Sequence, residues 1–419
     1  MSIALRLASV VTGALALAQC SSFTPAQSAP LPVRPGLDVF LADVPSWAEG
    51  KRIGLITNFA GIDHAGRSNI DLLSARNDLK LVTLFAFEHG LRGDAPPGAP
   101  IPNSVDERTG VPVYSLYGDV RKPTAAMLEG VEIFVYDVQD VGARPYTRVS
   151  TMALSMQAAA QQGIPFVVLD RPNPLGGVEM EGPVLEPVFA SFVGMYSIPL
   201  RHGMTVGELA RLYNERFGIH ADLRVVPVQG LRRAHRFADT GLPWIGTSPN
   251  IRRLEAALLY PGTVLIEGTN LSEGRGTTTP FEIVGAPWLR SADVVCELEA
   301  LQLPGVRVEA ITFAVQADAR KYGGQTLPGV RLVVTQADTF RPVRTALHLI
   351  DIVRRLHPAD FAWTGPNRRE AALMSIDRLA GTDRVRKAIE AGTLAELLRR
   401  SEDEVAAFRA MSAPYQLYR

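Results

Sequence analysis

At 419 residues the chain exceeds one typical domain, and roughly 150 residues apiece would make two or three. Apolar residues are 47% and charged residues 21%, which excludes global disorder; 43 basic residues against 43 acidic ones exclude a broad polyanion binder, because such affinity rests on excess positive charge. Two cysteines, Cys20 and Cys296, exclude a disulfide framework, and seven histidines without HxH or HxxxH spacing give no support to a metal site, so no metal or cofactor is expected.

The first element is a leader. Arg6 precedes the apolar run LASVVTGALALA at residues 7–18. Such a run makes about 18 Å of helix, short of the ~30 Å of a bilayer core and suited to a signal peptide. Ala16-Leu17-Ala18 fits a cleavage site. A signal peptide over 1–18 and a Ser/Pro/Ala-rich spacer over 19–36 follow, and with them an exported protein, periplasmic or extracellular. Cys20 offers a second option, a lipid anchor, against which Gln19 stands where a lipoprotein signal carries a small residue. No other run is long and apolar enough to cross a membrane.

Strands and helices then alternate. Apolar runs at 51–57, 80–87, 112–116, 131–137 and 165–170 read as strands, with helices over 68–77 and 151–162 between them. Continuous apolar strands separated by helices predict a parallel sheet covered on both faces. Thr205 and Glu208 make a capping box ahead of a further helix. A strand is predicted at 221–227, and the pattern changes after about 285, with strands at 307–315 and 330–335 and a helix at 343–356. A helix over 383–391 stops at Gly392; Thr393/Glu396 and Ser401/Glu404 read as two further caps. The fold class is α/β, with a Rossmann-like parallel-sheet part over 37–285 and a smaller α/β part over 286–419 closing a cleft.

Polar residues follow the strands: Asn58, Glu88-His89, Asp137 to Asp140, and Asp170-Arg171. Ligands of open α/β sheets bind outside the carboxyl ends of the strands, so four strands deliver polar groups to one rim. No GxGxxG follows the first strand, no GxxxxGK[ST] occurs, and GxSxG is missing, so dinucleotide, nucleotide and serine-hydrolase chemistry lose their support. Carboxylate chemistry remains. A glutamate at a sheet rim is partly desolvated, which favours its protonated form and suits a general acid. Glu88 fits that description; pairing with Arg92 or Arg144 is the bland alternative. Asp140, Asp170 and Glu282 offer a second carboxylate, with Glu267 also flanking the glycine-rich loop; loop closure is the ordinary role of such aspartates. Arg144 and Arg171 suit a carboxylate clamp or an ion pair with Asp140 or Asp170. Gly274-Arg275-Gly276 reads equally as an anion nest or a turn. Tyr146, Phe192, Trp244 and Trp288 are the aromatics able to stack on a sugar, and Cys296 is expected to be a buried, inert thiol.

FAFEHGLRG at 85–93, YDVQDVGARPYT at 136–147, VLDRPNPLGG at 168–177, RHGMTVGELA at 201–210, SPN at 248–250, LYPG at 259–262 and EGTNLSEGRGTTTPFEIVGAPW at 267–288 together resemble the bacterial exo-β-N-acetylmuramidases, the NamZ-like family. The resemblance runs from about residue 37 to the closing PYQLYR; Phe87 stands where the family pattern has Pro, next to an unchanged Glu88. It implies an exo-acting glycoside hydrolase that releases terminal N-acetylmuramic acid from the non-reducing end of peptidoglycan fragments, such as muropeptides or MurNAc-GlcNAc disaccharides. It implies Glu88 as the acid. Muramic acid carries a lactyl carboxylate, which Arg144, Arg171 or Arg275 would take. Asn58, Asn173 and Asn270 suit its acetamido and hydroxyl groups, and His89, Tyr146 and His202 fall in the same blocks. A non-catalytic periplasmic muropeptide-binding protein is the alternative, with aromatic platforms in place of a tuned acid.

Overall fold

The computed structural model describes residues 32–93, 101–366 and 373–419. The leader over 1–18, Cys20 and most of the spacer lie outside the described residues. The main sheet comprises β1 (Arg52–Ile56), β2 (Lys80–Ala86), β3 (Ser104–Val105), β4 (Pro112–Ser115), β5 (Ile133–Tyr136) and β6 (Phe166–Leu169). After the hairpin β7 (Glu181–Val184) and β8 (Pro199–Arg201), β9 (Leu223–Val226) completes it. Its order is β3-β4-β2-β1-β5-β6-β9. All neighbours are parallel except the edge pair β3–β4. The chain builds outward from β1 through β2 to β4, then returns and builds the other way from β5. The order therefore reverses between β1 and β5, where the loops at the carboxyl ends diverge and leave a crevice.

The strands read as unbroken apolar runs because both faces are covered. Ile53, Leu55, Val135 and Leu169 join Leu37, Phe40, Ile70 and Leu73 of the helices Gly36–Ala42 and Asn69–Ser74. Phe134, Tyr136, Phe166 and Val168 face the other way, onto Met152, Met156 and Leu209 of the helices Arg148–Gln162 and Val206–Glu215. The alternation has the period of two that a pleated strand imposes. The expected α/β class and parallel sheet are those observed.

A second sheet is antiparallel: β10 (Ile283–Gly285), β11 (Val306–Ala314) and β12 (Thr326–Val334), with β12 central. It takes in residues on both sides of position 285. The helix Ser291–Ala300 packs on β11 and β12, and Pro342–Leu356 packs against Leu254–Thr263. At that crossing a Cβ on Gly262 would overlap the Pro342 carbonyl, so the two backbones meet directly.

The capping box is present as expected: the Thr205 hydroxyl accepts from the Glu208 amide at 3.3 Å, and the Glu208 carboxylate accepts from the Thr205 amide at 3.1 Å. Gly392 ends the helix Arg384–Ala391 in the left-handed conformation, with φ 71°. Of the next two expected caps, the first lacks its side-chain bond and the second needs correction. The helix Leu394–Ser412 starts where expected, with Thr393 at its N-cap position but making no side-chain cap bond, and it runs straight through the second expected cap: Ser401 is buried in mid-helix, and Glu404 is held by Arg384 and Arg400. No Gly or Pro interrupts this run, so nothing ends the helix there. Cys296 also departs from expectation. It is exposed, because its helix turns Val294 and Leu298 inward and Cys296 away. Among the described residues no helix is long and apolar enough to cross a membrane.

Candidate functional site

Beyond β2 the chain makes a tight turn. Gly90 donates its amide to the Phe87 carbonyl at 3.0 Å, and His89 and Gly90 take φ values of 77° and 74°. This turn brings Phe87, Glu88 and His89 to the wall of a cavity of about 160 Å³. Pro145, Tyr146 and Arg148, which lead into the helix Arg148–Gln162, form a second wall. Ser248, Asn250 and Ile251 contribute from a loop, and Tyr260, Glu267, Arg275 and Phe281 close the far side.

Glu88 is half-buried, and its Oε1 accepts a hydrogen bond from the Tyr117 hydroxyl at 3.2 Å. It makes no ion pair among the described residues. Arg92 is engaged by Asp71 and Asp106, and Arg144 meets only carbonyls. Opposite lies Glu267, whose Oε1 is 2.7 Å from Arg275 Nη2. Arg275 also reaches Glu273 at 3.2 Å, and the two carboxylates hold its guanidinium above its ordinary pKa against the cost of burial. Tyr146, Tyr260 and Phe281 form an aromatic wall, meeting edge-on at centroid distances of 5.6 and 4.8 Å. Burial, then the charge on Glu267 and to a lesser extent on Glu88, pushes the Tyr260 hydroxyl well above its usual pKa, so it stays a proton donor.

Of the residues singled out from sequence, Glu88, His89, Tyr146 and Arg275 come together at this cavity, and so does Glu267, noted only as a flank of the glycine-rich loop. The other three carboxylates do not line it. Asp140 is buried; its Oδ2 accepts from the Gly142 amide at 2.6 Å and lies 3.4 Å from Nε2 of His202, which is fully buried. Asp170, 0% exposed, accepts from the Tyr418 and Thr205 hydroxyls and from the amides of Gly207 and Arg171, at 2.6 to 2.9 Å. A Cβ on Gly207 would sit 2.7 Å from the Asp170 carboxyl carbon, so only glycine lets that amide approach. Burial raises Asp170 to a pKa of about 6, against the lowering effect of these bonds. Glu282 is buried between Arg253 at 3.4 Å and Arg331 at 3.8 Å, and burial raises its pKa.

The arginines divide likewise. Arg144, 1% exposed, donates to the carbonyls of Pro183, Ile198 and Leu379, and burial lowers its pKa to about 9. Arg171 grips Asp137 with two hydrogen bonds of 2.6 and 2.9 Å. Asn173 closes a loop between Met204 and Leu175, and Asn270 bonds the Asp360 carbonyl and the Ala362 amide. Asn58 supports the site from behind: its side-chain amide reaches the Thr247 carbonyl at 3.5 Å, and Thr247 Oγ1 accepts from the Tyr146 hydroxyl at 2.7 Å. Trp244 packs on Phe237, Trp288 on His357, and Phe192 lies under Arg121.

Sequence reasoning passed over Arg148 and Tyr117 and left Glu267 outside its chosen carboxylates. Arg148 follows the RPYT block by one residue, and Ser248 and Asn250 sit in the SPN block, so proximity to those blocks was the available signal. Glu267 opens the longest block.

The family model for the N-terminal part of the exo-β-N-acetylmuramidase NamZ matches residues 53–255, and that for its C-terminal part matches residues 258–418. The peptidoglycan β-N-acetylmuramidase NamZ of Bacillus subtilis (strain 168) is 46% identical over 408 residues, 97% of this chain and 96% of that protein. Two crystal structures of DUF1343 family proteins from Bacteroides fragilis NCTC 9343 are also similar. One has a TM-score of 0.84 at 33% identity, over 92% of this chain and 99% of the other. The second has a TM-score of 0.71 at 30% identity, over 93% and 99%. The chain belongs to the NamZ family of exo-β-N-acetylmuramidases.

Proposed function

We propose that this protein is an exo-acting β-N-acetylmuramidase that releases N-acetylmuramic acid from the non-reducing end of peptidoglycan fragments, with Glu88 as general acid. One observation carries the reading: in a chain with this kinship, a glutamate at the end of β2 lines the cavity, takes one hydrogen bond from Tyr117, and is not consumed by an ion pair among the described residues. A carboxylic acid in that state can deliver a proton to the departing glycosidic oxygen. Glu267 is favoured over Asp140 as the second carboxylate because it lines the same cavity, where its charge would face the oxocarbenium-like centre. Tyr260 and Tyr146 supply the apolar face against which a sugar ring packs. Arg6 and the apolar run at 7–18 favour export, where peptidoglycan is found.

Glu88→Gln should lower kcat on a MurNAc-GlcNAc disaccharide by about 10²- to 10⁴-fold. The loss should be smaller on a nitrophenyl muraminide, whose leaving group departs without protonation. Release of free muramic acid from the disaccharide at a near-normal rate would overturn the assignment.

A further inference from the structure

We infer that Arg148 is the specificity-determining residue that selects the acidic substituent of the sugar, the carboxylate of its lactyl ether; this rests on the muramidase reading above. Four arginines stand near the rim, and three are already used. Arg144 is capped by carbonyls, Arg171 is clamped on Asp137, and Arg275 lies between Glu267 and Glu273. Of the four, Arg148 is the one that combines a place at the cavity wall with freedom from any carboxylate among the described residues. It lines the cavity, is 4% exposed, and has no carboxylate partner among the described residues. Its Nη2 donates to the Thr247 carbonyl and to the Tyr146 hydroxyl, while its Nε and Nη1 are buried and meet no acceptor.

The guanidinium is held by flat contacts that leave its charge uncancelled. Its central carbon lies 4.3 Å from the Phe87 ring centroid and 5.0 Å from that of Tyr146. Aromatic faces attract a cation but carry no net charge. A buried cation with donors unspent is costly to the empty protein. An anion entering the cavity repays that cost, and a neutral one does not. The positive charge is therefore a device for discriminating between ligands. Arg148 is adjacent to Glu88 through Phe87, so the carboxylate it draws in would also fix the sugar relative to the acid. Within a glycan strand of alternating amino sugars, the muramic residue carries the acid and its neighbour does not, which gives the cavity a charge by which to choose its end residue.

The test compares the nitrophenyl N-acetylmuraminide with its lactyl methyl ester, which differ only in that charge. Wild-type protein should prefer the acid in kcat/KM by about 10- to 100-fold, the value of a charge-assisted contact. The preference should lie mainly in KM. In Arg148→Met the preference should collapse to within about threefold, and Arg148→Lys should restore part of it. Equal kcat/KM for acid and ester with wild type would overturn the inference even if Arg148→Met failed to fold. So would an Arg148→Met protein that loses the same factor on both, the signature of a merely structural role. If wild type cleaved no muraminide, the muramidase reading would fall separately. Calorimetric titration with free N-acetylmuramic acid and N-acetylglucosamine would then decide: tighter binding of the acid by wild type but not by Arg148→Met supports the inference, and equal affinities refute it.

Discussion

Asp170 illustrates what a carboxylate at a strand end does when it is fully enclosed. Four donors converge on it, and burial still raises its pKa to about 6 from an ordinary 3.8. The folded protein therefore binds this proton more tightly than the unfolded chain. Its contribution to stability falls as pH rises from 3.8 to about 6 and is flat above. The whole effect is on the order of 3 kcal/mol at 1.36 kcal/mol per unit. Asp170→Asn should flatten that part of the pH dependence, as urea unfolding across pH 4 to 7 would show; parallel profiles for variant and wild type would disprove it. Two of the other carboxylate candidates, Glu267 and Asp140, separate by activity. Glu267→Gln should reduce kcat on the disaccharide by about 10²-fold or more. Asp140→Asn should cost about 1–3 kcal/mol of stability through its contact with Gly142 and leave kcat within about tenfold. Steady-state kinetics beside thermal melts would reveal a reversal of the two roles. The place of Glu88 at the cavity wall was legible from sequence because it sits just beyond a recognisable strand, and that of Tyr146 because it stands near the end of the block at 136–147. The state of the arginines was not, since Arg171 finds its acid 34 residues away and Arg144 finds a carbonyl 235 residues away.

Elements were legible where their signals are local. The Thr205–Glu208 box spans four residues, and Gly392 marks its helix end by its own backbone conformation. The S-x-x-E pattern at Ser401 misled because it says nothing about whether the preceding helix has ended. That helices cover both faces of the sheet was legible from the apolar runs, but the close packing of one particular helix on another was not. Nothing around Gly262 announces that the helix carrying it meets the start of Pro342–Leu356 with no room for a methyl group. Gly262→Ala should therefore destabilise the fold by about 1–3 kcal/mol or more, despite alanine's better helix propensity. A rise in melting temperature would show that the crossing can open to accept the methyl.

At the scale of the molecule, the cavity is drawn from segments far apart in the chain: Glu88 and Arg148 precede the boundary between the two family-matched regions, while Tyr260, Glu267 and Phe281 follow it. On the proposed reading, a sugar held there would touch both regions at once and act as a rivet between them. Occupancy should make the protein harder to melt, by about 2.7 kcal/mol when free ligand is at a hundred times its dissociation constant. Scanning calorimetry with N-acetylmuramic acid against N-acetylglucosamine would register this, and no shift at saturation would contradict it. On that reading the product would become a heat-shield, and residual muramic acid in a preparation would be detectable as unexplained thermal resilience before any assay of turnover was run.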